Sequence, residues 1–236
     1  MLKFWKFMNL LYERLLLIVL VIILLIAAWC MYDNYYVYNQ TLDESIRKYK
    51  PVAGSADFVE NSPITDDMTA WITIDGTNID YPVMQGTDNM KYLNTDPFGH
   101  YSLSGSIFLD SRNSADFSDD YSLIYGHHME YGKMFGALDD FLDPHYFAQH
   151  RTGTLIIGKN AEKTYALDVF AAMRADSRDG AVFDPGKADI KAFIRKNAEI
   201  CIADRDERIV GLSTCTEGSD NSRIVVFCYI KDSDGQ

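Results

Sequence analysis

Hydrophobic positions along the 236-residue chain fall into two regimes. Residues 15–32 form an unbroken run of 18 residues without a formal charge. At about 1.5 Å per helical residue such a run reaches roughly 27 Å, the thickness of a bilayer core. From residue 68 onward the apolar residues come in short runs separated by Gly, Asn and Asp. The stretch 71–74 alternates, 79–84 makes a second run, and Gly76 and Asn78 supply a turn between them. Further strands are predicted at 105–109, 121–125, 153–157, 164–173, 199–203, 209–213 and 223–230. Short strands at this spacing predict a mainly β domain, either a closed barrel or a sandwich. Three helical inserts interrupt them. They lie at 89–93, at 134–150 with Pro144 dividing it, and at 186–198, where Ile190, Phe193 and Ile194 recur at helical spacing. Between the two regimes, 33–66 reads as a stalk and lead-in. It holds a short helix at 42–49 that Pro51 ends, then a small, polar linker at 53–63.

Charge sharpens this division. The chain carries a net −12. Residues 1–32 hold Lys3, Lys6 and Arg14 against Glu13, a local +2, so the remainder carries −14. A body this acidic lacks the basic footprint of a nucleic-acid binder. The cations precede the apolar run and Asp33 follows it. By the positive-inside rule, residues 1–14 are a cytoplasmic tail, 15–32 a transmembrane anchor, 33–66 the stalk, and 67–236 an extracellular domain. Tyr12, Trp29, Tyr32, Tyr35 and Tyr36 suit the two interfaces. A cleaved signal peptide shares this layout. The apolar run, however, exceeds the usual h-region of about 7–15 residues, and Ala27-Ala28 followed by Trp29 is a poor cleavage context. Roughly 200 residues remain after the anchor, which suits one domain with its own core.

Of the four cysteines, Cys30 falls in the apolar run, and Cys201, Cys215 and Cys228 lie beyond it. Three is odd, so at least one thiol has no partner within the chain, a hint of chemistry in an oxidising compartment. Acyl transfer at a peptide carbonyl needs a nucleophile, a proton carrier and a donor for the oxyanion. Cys215 follows the 209–213 strand, and Arg223 opens the next one. A hairpin between these strands brings Arg223 back beside Cys215. There a guanidinium both favours the thiolate and donates several N–H groups. His127 follows the 121–125 strand, with Gly126 allowing a tight bend, and histidine titrates near neutrality. His128 is adjacent; in an extended segment the two imidazoles point opposite ways, so only one reaches the sulfur. Taken one by one, the plainer readings are an inert core thiol, a surface charge and a structural hydrogen-bonder. Residue types alone do not pair them.

The segments do. The stretches IYGHHMEYGKMFGALDDF and LSTCTEGSDNSRIVVF resemble the two signature segments of sortases. WITIDGTNIDYPVMQGTDNMKYL and GSIFLD are similar to the same family, and the likeness covers roughly residues 68–230. Class B is the most similar subgroup, on the YGHHM…MFG stretch and the helical insert ahead of the cysteine strand. Residues 33–66 carry no aromatic lid motif of the pilin-polymerising class C kind. Gly211 departs from the pattern, standing where many relatives have threonine.

The resemblance implies a closed β-barrel of about eight strands with peripheral helices. It implies a cysteine transpeptidase with Cys215 as nucleophile, His127 as acid and base, and Arg223 at the oxyanion. Thr214 and Glu217, flanking the cysteine, are weaker substrate-binding candidates by the same mapping, and a solvated loop carboxylate is the plainer reading of Glu217. The implied reaction cleaves a sorting signal of a secreted protein after threonine, through a thioester. The acyl group passes to an amine of a peptidoglycan precursor or to a pilin lysine. No cofactor is expected. No metal site is expected either: His127 and His128 are badly spaced for one ion, and the acidic turn 116–120 reads as a solvated loop. A secreted cysteine hydrolase of the cell envelope and a non-enzymatic adhesion module are the competing readings.

Overall fold

The computed structural model describes residues 1–40, 44–52, 62–186, 189–215 and 221–232. The chain divides into two units, Met1–Gln40 and Thr41–Gln236. The first is a single helix, α1 (Leu2–Gln40). Its stretch Lys3–Tyr32 contains an 18-residue window with a mean hydropathy of 3.1 and is long and apolar enough to cross a membrane. This span is wider than 15–32, because Phe4, Trp5, Phe7, Met8, Leu10 and Leu11 extend the apolar surface toward the N-terminus. Residues 15–32 of the helix carry no charge on any side, and none of the candidate span is buried within the protein. That is the pattern of a helix solvated by lipid.

The second unit is built on nine strands: β1 (Met68–Ile74), β2 (Asp80–Met84), β3 (Ile107–Leu109), β4 (Tyr121–Gly126), β5 (Thr152–Ile157), β6 (Lys163–Asp176), β7 (Ile200–Cys201), β8 (Arg208–Cys215) and β9 (Ser222–Asp232). Their order is β5-β1-β2-β3-β4-β8-β9-β6, and β5 pairs back onto β6. Eight strands therefore close into a barrel, which removes the exposed edges and rules out the sandwich. The ninth, β7, pairs with Ala171 and Ala172 of β6 beyond the end of β5. Within the ring β2–β3 and β4–β8 are parallel; the other pairs are antiparallel.

Alternation along the strands sorts residues to the two faces of the barrel wall. Ile72, Val83, Ile107, Ile124, Leu155, Leu167, Leu212 and Val226 share one cluster that fills the interior. Phe135, Leu138, Phe141 and Phe147, from the 134–150 insert, join it. That insert is a 3-10 turn, Gly136–Leu142, followed by α2 (Pro144–Gln149). Pro144 sits in the first turn of α2, where its missing N–H costs nothing, and Asp143 caps the amides of His145 and Tyr146.

Two outer clusters cover the wall. In one, α3 (Gly180–Phe183) and α4 (Ile190–Asn197) bring Val182, Ile190 and Ile194 against Tyr121, Phe170, Phe227 and Tyr229. In the other, Ile46, Ile64 and Tyr92 cover Trp71, Met84 and Phe108. The lead-in to this second cluster is a 3-10 helix, Glu44–Tyr49. Asp80 pins it to the barrel, taking Lys50 Nζ at 2.8 Å and Trp71 Nε1 at 2.7 Å, with Arg47 at 3.3 Å.

Several elements differ from the sequence expectation. The helix expected at 89–93 is a single 3-10 turn, Lys91–Leu93, because the Asn89 side chain is engaged elsewhere. α4 begins at Ile190, where Asp189 caps the amide of Ala192, and α3 precedes it unannounced. The strand expected at 199–203 shrinks to two residues.

Candidate functional site

Register places the candidate residues at one end of three adjacent strands. In the parallel β4–β8 pair, Tyr125 lies opposite Ser213 and Gly126 opposite Thr214. In the antiparallel β8–β9 pair, Cys215, the last residue of β8, lies opposite Arg223. His127 follows Gly126 directly. A cavity of about 220 Å³ opens here, lined by Asn89, Leu93, Phe108, Tyr125, Gly126, His127, Ser213 and Arg223. It lies on the outer face of the wall, between the two outer clusters. Tyr125, Ser213 and Arg223 have the opposite parity to Ile124, Leu212 and Ile224, which fill the interior. The apolar cluster occupies the barrel interior, and the cavity is a furrow on its flank.

His127 is fixed at both its backbone and its ring. Its carbonyl accepts from Phe135 N at 3.1 Å, closing a loop in which Tyr131, Gly132 and Met134 all take positive φ. Its Nε2 lies 2.8 Å from the Leu93 carbonyl oxygen. A carbonyl only accepts, so Nε2 carries a proton and Nδ1 is the nitrogen left to gain or lose one. His128 is held apart, with Nε2 2.9 Å from Asp139 Oδ2.

Gly126 has a reason other than the expected bend. It is a strand residue whose φ is not positive. A Cβ there would lie 2.4 Å from Ile107 Cδ1 and 2.8 Å from the Phe135 ring. The glycine lets the insert pack against the strand that delivers His127. Gly211 is explained similarly: a Cβ there would meet the Tyr121 hydroxyl at 2.8 Å, so a threonine has no room beside this tyrosine.

The wall beside His127 rests on a buried carboxylate. Asp110 is fully buried and accepts from Arg112 Nε at 2.8 Å and Nη2 at 2.7 Å, from Asn89 Nδ2 at 2.9 Å, and from the Tyr125 hydroxyl at 3.1 Å. Burial pushes its pKa up, but the hydrogen bonds from Arg112 and Asn89 outweigh that, and Asp110 ends below the usual carboxylate range. Burial, then the Asp110 charge, pushes the Tyr125 phenol well above its ordinary value. Asp110 thus stays ionised and Tyr125 stays a donor, which fixes the Tyr125 ring and the Asn89 amide on the cavity wall.

The other cysteines of this unit do not reach the cavity. Cys228 is fully buried, and burial raises its thiol well above the ordinary value, which leaves it inert. Cys201 is exposed on β7. Thr214 is fully buried with the interior parity of Leu212, so it does not line the cavity as expected. Its neighbour Ser213 does, and the Ser213 hydroxyl is buried with no hydrogen-bond partner among the described residues. Asn89, Leu93, Tyr125 and Ser213 were not anticipated. Ser213 was within reach, since it stands two residues before Cys215 and shares its strand parity. Glu217 lies outside the described residues. In the 116–120 turn, Asp119 is occupied within the chain, accepting from Asn113 Nδ2 and Ser114 N, each at 2.8 Å. Among the described residues, no group of three or more His, Cys, Asp or Glu could hold a metal.

Comparison with known proteins fits this geometry. A sortase-domain profile matches residues 72–231. Sortase B of Staphylococcus aureus is 32% identical over 178 residues, covering 71% of each chain. Among solved structures, Spy0129 of Streptococcus pyogenes, a class B sortase involved in pilus biogenesis, superimposes with a TM-score of 0.66 at 33% identity. That match covers 75% of this chain and 99% of that one. A Staphylococcus aureus sortase B–substrate complex gives a TM-score of 0.66 at 28% identity, covering 89% of this chain and all of that one. The chain belongs to the sortase family of cysteine transpeptidases and is most like its class B members.

Proposed function

We propose that Cys215 is the nucleophile, His127 the acid and base, and Arg223 the oxyanion donor of this transpeptidase. The observation that carries the reading is the register: position 215 is paired with Arg223 on one side, and its other neighbour strand ends at Gly126–His127. The Cys215 thiolate attacks the carbonyl carbon of the threonine in a sorting signal, whose amide bond to the next residue will break. The carbonyl electrons move to oxygen, where the Arg223 guanidinium meets the charge. The tetrahedral adduct collapses to a thioester and expels the amine, which takes the proton from Nδ1 of the His127 imidazolium. An incoming amine then attacks the thioester, with Nδ1 as base. The Leu93 carbonyl, held on Nε2–H throughout, keeps the ring turned.

The extended donor lies in the furrow lined by Tyr125 and Ser213, with the free Ser213 hydroxyl bonding its backbone. Glu217 is retained as a weak substrate contact from its place in the loop after Cys215. The acceptor is an amine of a peptidoglycan precursor or a pilin lysine. The Spy0129 likeness favours neither, since that protein and the Staphylococcus aureus one are both class B. Helix α1 anchors the protein, with Lys3, Lys6 and Arg14 on the cytoplasmic side and the barrel outside. Both substrates then arrive at the surface to which the enzyme is tethered.

The test is a library of X-Pro-X-Thr-X peptides with Asn, Leu or Ser at the first position, incubated with the protein and read by mass spectrometry. Cleavage after threonine is expected, with an amide product when an amine acceptor is added. Free acid alone, in the presence of amine, marks a hydrolase instead.

A further inference from the structure

We propose that Phe183 is a positioning residue for Arg223, and that Arg112, tied to the buried Asp110, holds Phe183 where it acts. The proposal rests on the reading of Arg223 as oxyanion donor. The guanidinium carbon of Arg223 lies 6.0 Å from the centre of the Phe183 ring, within the range at which an aromatic face attracts a cation. Phe183 ends α3, a single turn of four residues, too short to hold its own geometry. Two anchors compensate. Its ring packs on the outer cluster of Val182, Phe227 and their neighbours. Its carbonyl accepts from Arg112 Nη2 at 2.8 Å, while Arg112 Nη1 reaches Asp184 at 2.6 Å.

Arg112 is in turn tied to Asp110, the carboxylate that also bonds Tyr125 and Asn89 on the opposite wall of the cavity. One buried charge therefore sets both the wall beside His127 and the aromatic face beside Arg223. An oxyanion exists only in the transition state, so a donor helps in proportion to how well it is placed beforehand. Arginine has many rotamers, and a ring at one face of its guanidinium reduces them.

The experiment uses the full chain in detergent micelles and the quenched peptide that the wild type cleaves fastest in the X-Pro-X-Thr-X library. Phe183→Leu, Phe183→Tyr, Arg223→Gln and the Phe183→Leu/Arg223→Gln double variant are compared where circular dichroism shows each folded. Phe183→Leu is expected to lower kcat about tenfold with KM within about twofold, and Phe183→Tyr to stay within about threefold of wild type. In the Arg223→Gln background the same leucine change is expected to cost less than about twofold. In parallel, the Nε–H resonance of Arg223 should move in Phe183→Leu as the ring current is removed. An equal loss in both backgrounds, a wild-type kcat for Phe183→Leu, or an unmoved resonance overturns the proposal. If Arg223→Gln keeps the wild-type kcat, the failure lies in the reading of Arg223 itself, and the proposal falls with it.

Discussion

Cys215 and Arg223 are register partners at the loop end of the β8–β9 ladder, eight residues apart in sequence and directly opposite in the sheet. The guanidinium lines the cavity from this fixed strand position. Its fork can donate two N–H groups to one oxygen, whereas an ammonium is a point charge on a flexible stem. Arg223→Lys should therefore keep the charge and still lose about 10- to 100-fold in kcat, with KM little changed. Steady-state kinetics on the fastest-cleaved peptide checks this, and a wild-type kcat for the lysine variant would remove the oxyanion role.

The two adjacent histidines give a sharper contrast. His127 lines the cavity and is hydrogen-bonded to Leu93; His128 is paired with Asp139. His127→Ala should lower kcat by about 10³-fold or more, and His128→Ala should retain activity within about fivefold. The reverse result would show the assignment to be inverted.

Ser213 offers a binding test. Its hydroxyl is buried without a partner among the described residues, so removing it breaks no hydrogen bond with them. Ser213→Ala should leave thermal stability unchanged or slightly raised, while KM for the peptide rises about 3- to 10-fold, the worth of roughly 1 kcal/mol. A KM equal to that of wild type would mean that the hydroxyl does not touch the substrate.

Gly126→Ala tests the close approach of the 134–150 insert. The new methyl would meet Ile107 and Phe135 at 2.4 and 2.8 Å, and neither can retreat from the packed interior. Overpacking of this kind costs about 1–3 kcal/mol, and it displaces the strand end that delivers His127. Chemical denaturation and peptide turnover should fall together; a variant as stable as wild type would refute the packing account of this glycine.

Asp110 carries a pH signature. Its pKa is held below the ordinary carboxylate value in the folded protein, so the unfolded chain takes up its proton first as pH falls. The stability Asp110 supplies is fully present above the unfolded value of about 3.9 and is lost as pH falls through the lower folded value. Asp110→Asn should thus cost about 1–3 kcal/mol at pH 7, and the gap to wild type should close below about pH 4. A gap independent of pH would show that Asp110 acts by shape alone.

Much of this was legible in the sequence, for identifiable reasons. The apolar run became α1, and the β8–β9 hairpin followed from two apolar runs with a short polar gap, which also set Cys215 opposite Arg223. The parallel pairing of β4 with β8 was not legible from residue patterns. It joins strands some 80 residues apart, and no local signal encodes which distant strand is a neighbour; only the likeness of the two signature segments brought His127 to the same site. Gly126 was read as a bend because glycine is permissive, whereas its role is to lack a side chain at a crowded contact. Thr214 was favoured by its place beside the cysteine, but period-two alternation sends it inward with Leu212 and turns Ser213 to the cavity. The turn α3, with Phe183, escaped notice because four residues carry no helical period.

The account turns on a thioester at one sulfur. Intact-mass spectrometry of the full chain, quenched in acid during turnover of a cleaved peptide, should show the protein plus the fragment ending in threonine. Peptide mapping should place that mass on Cys215, and added amine should discharge it to an amide. An adduct on Cys201, turnover by Cys215→Ala, or an adduct that amine fails to discharge would contradict the mechanism.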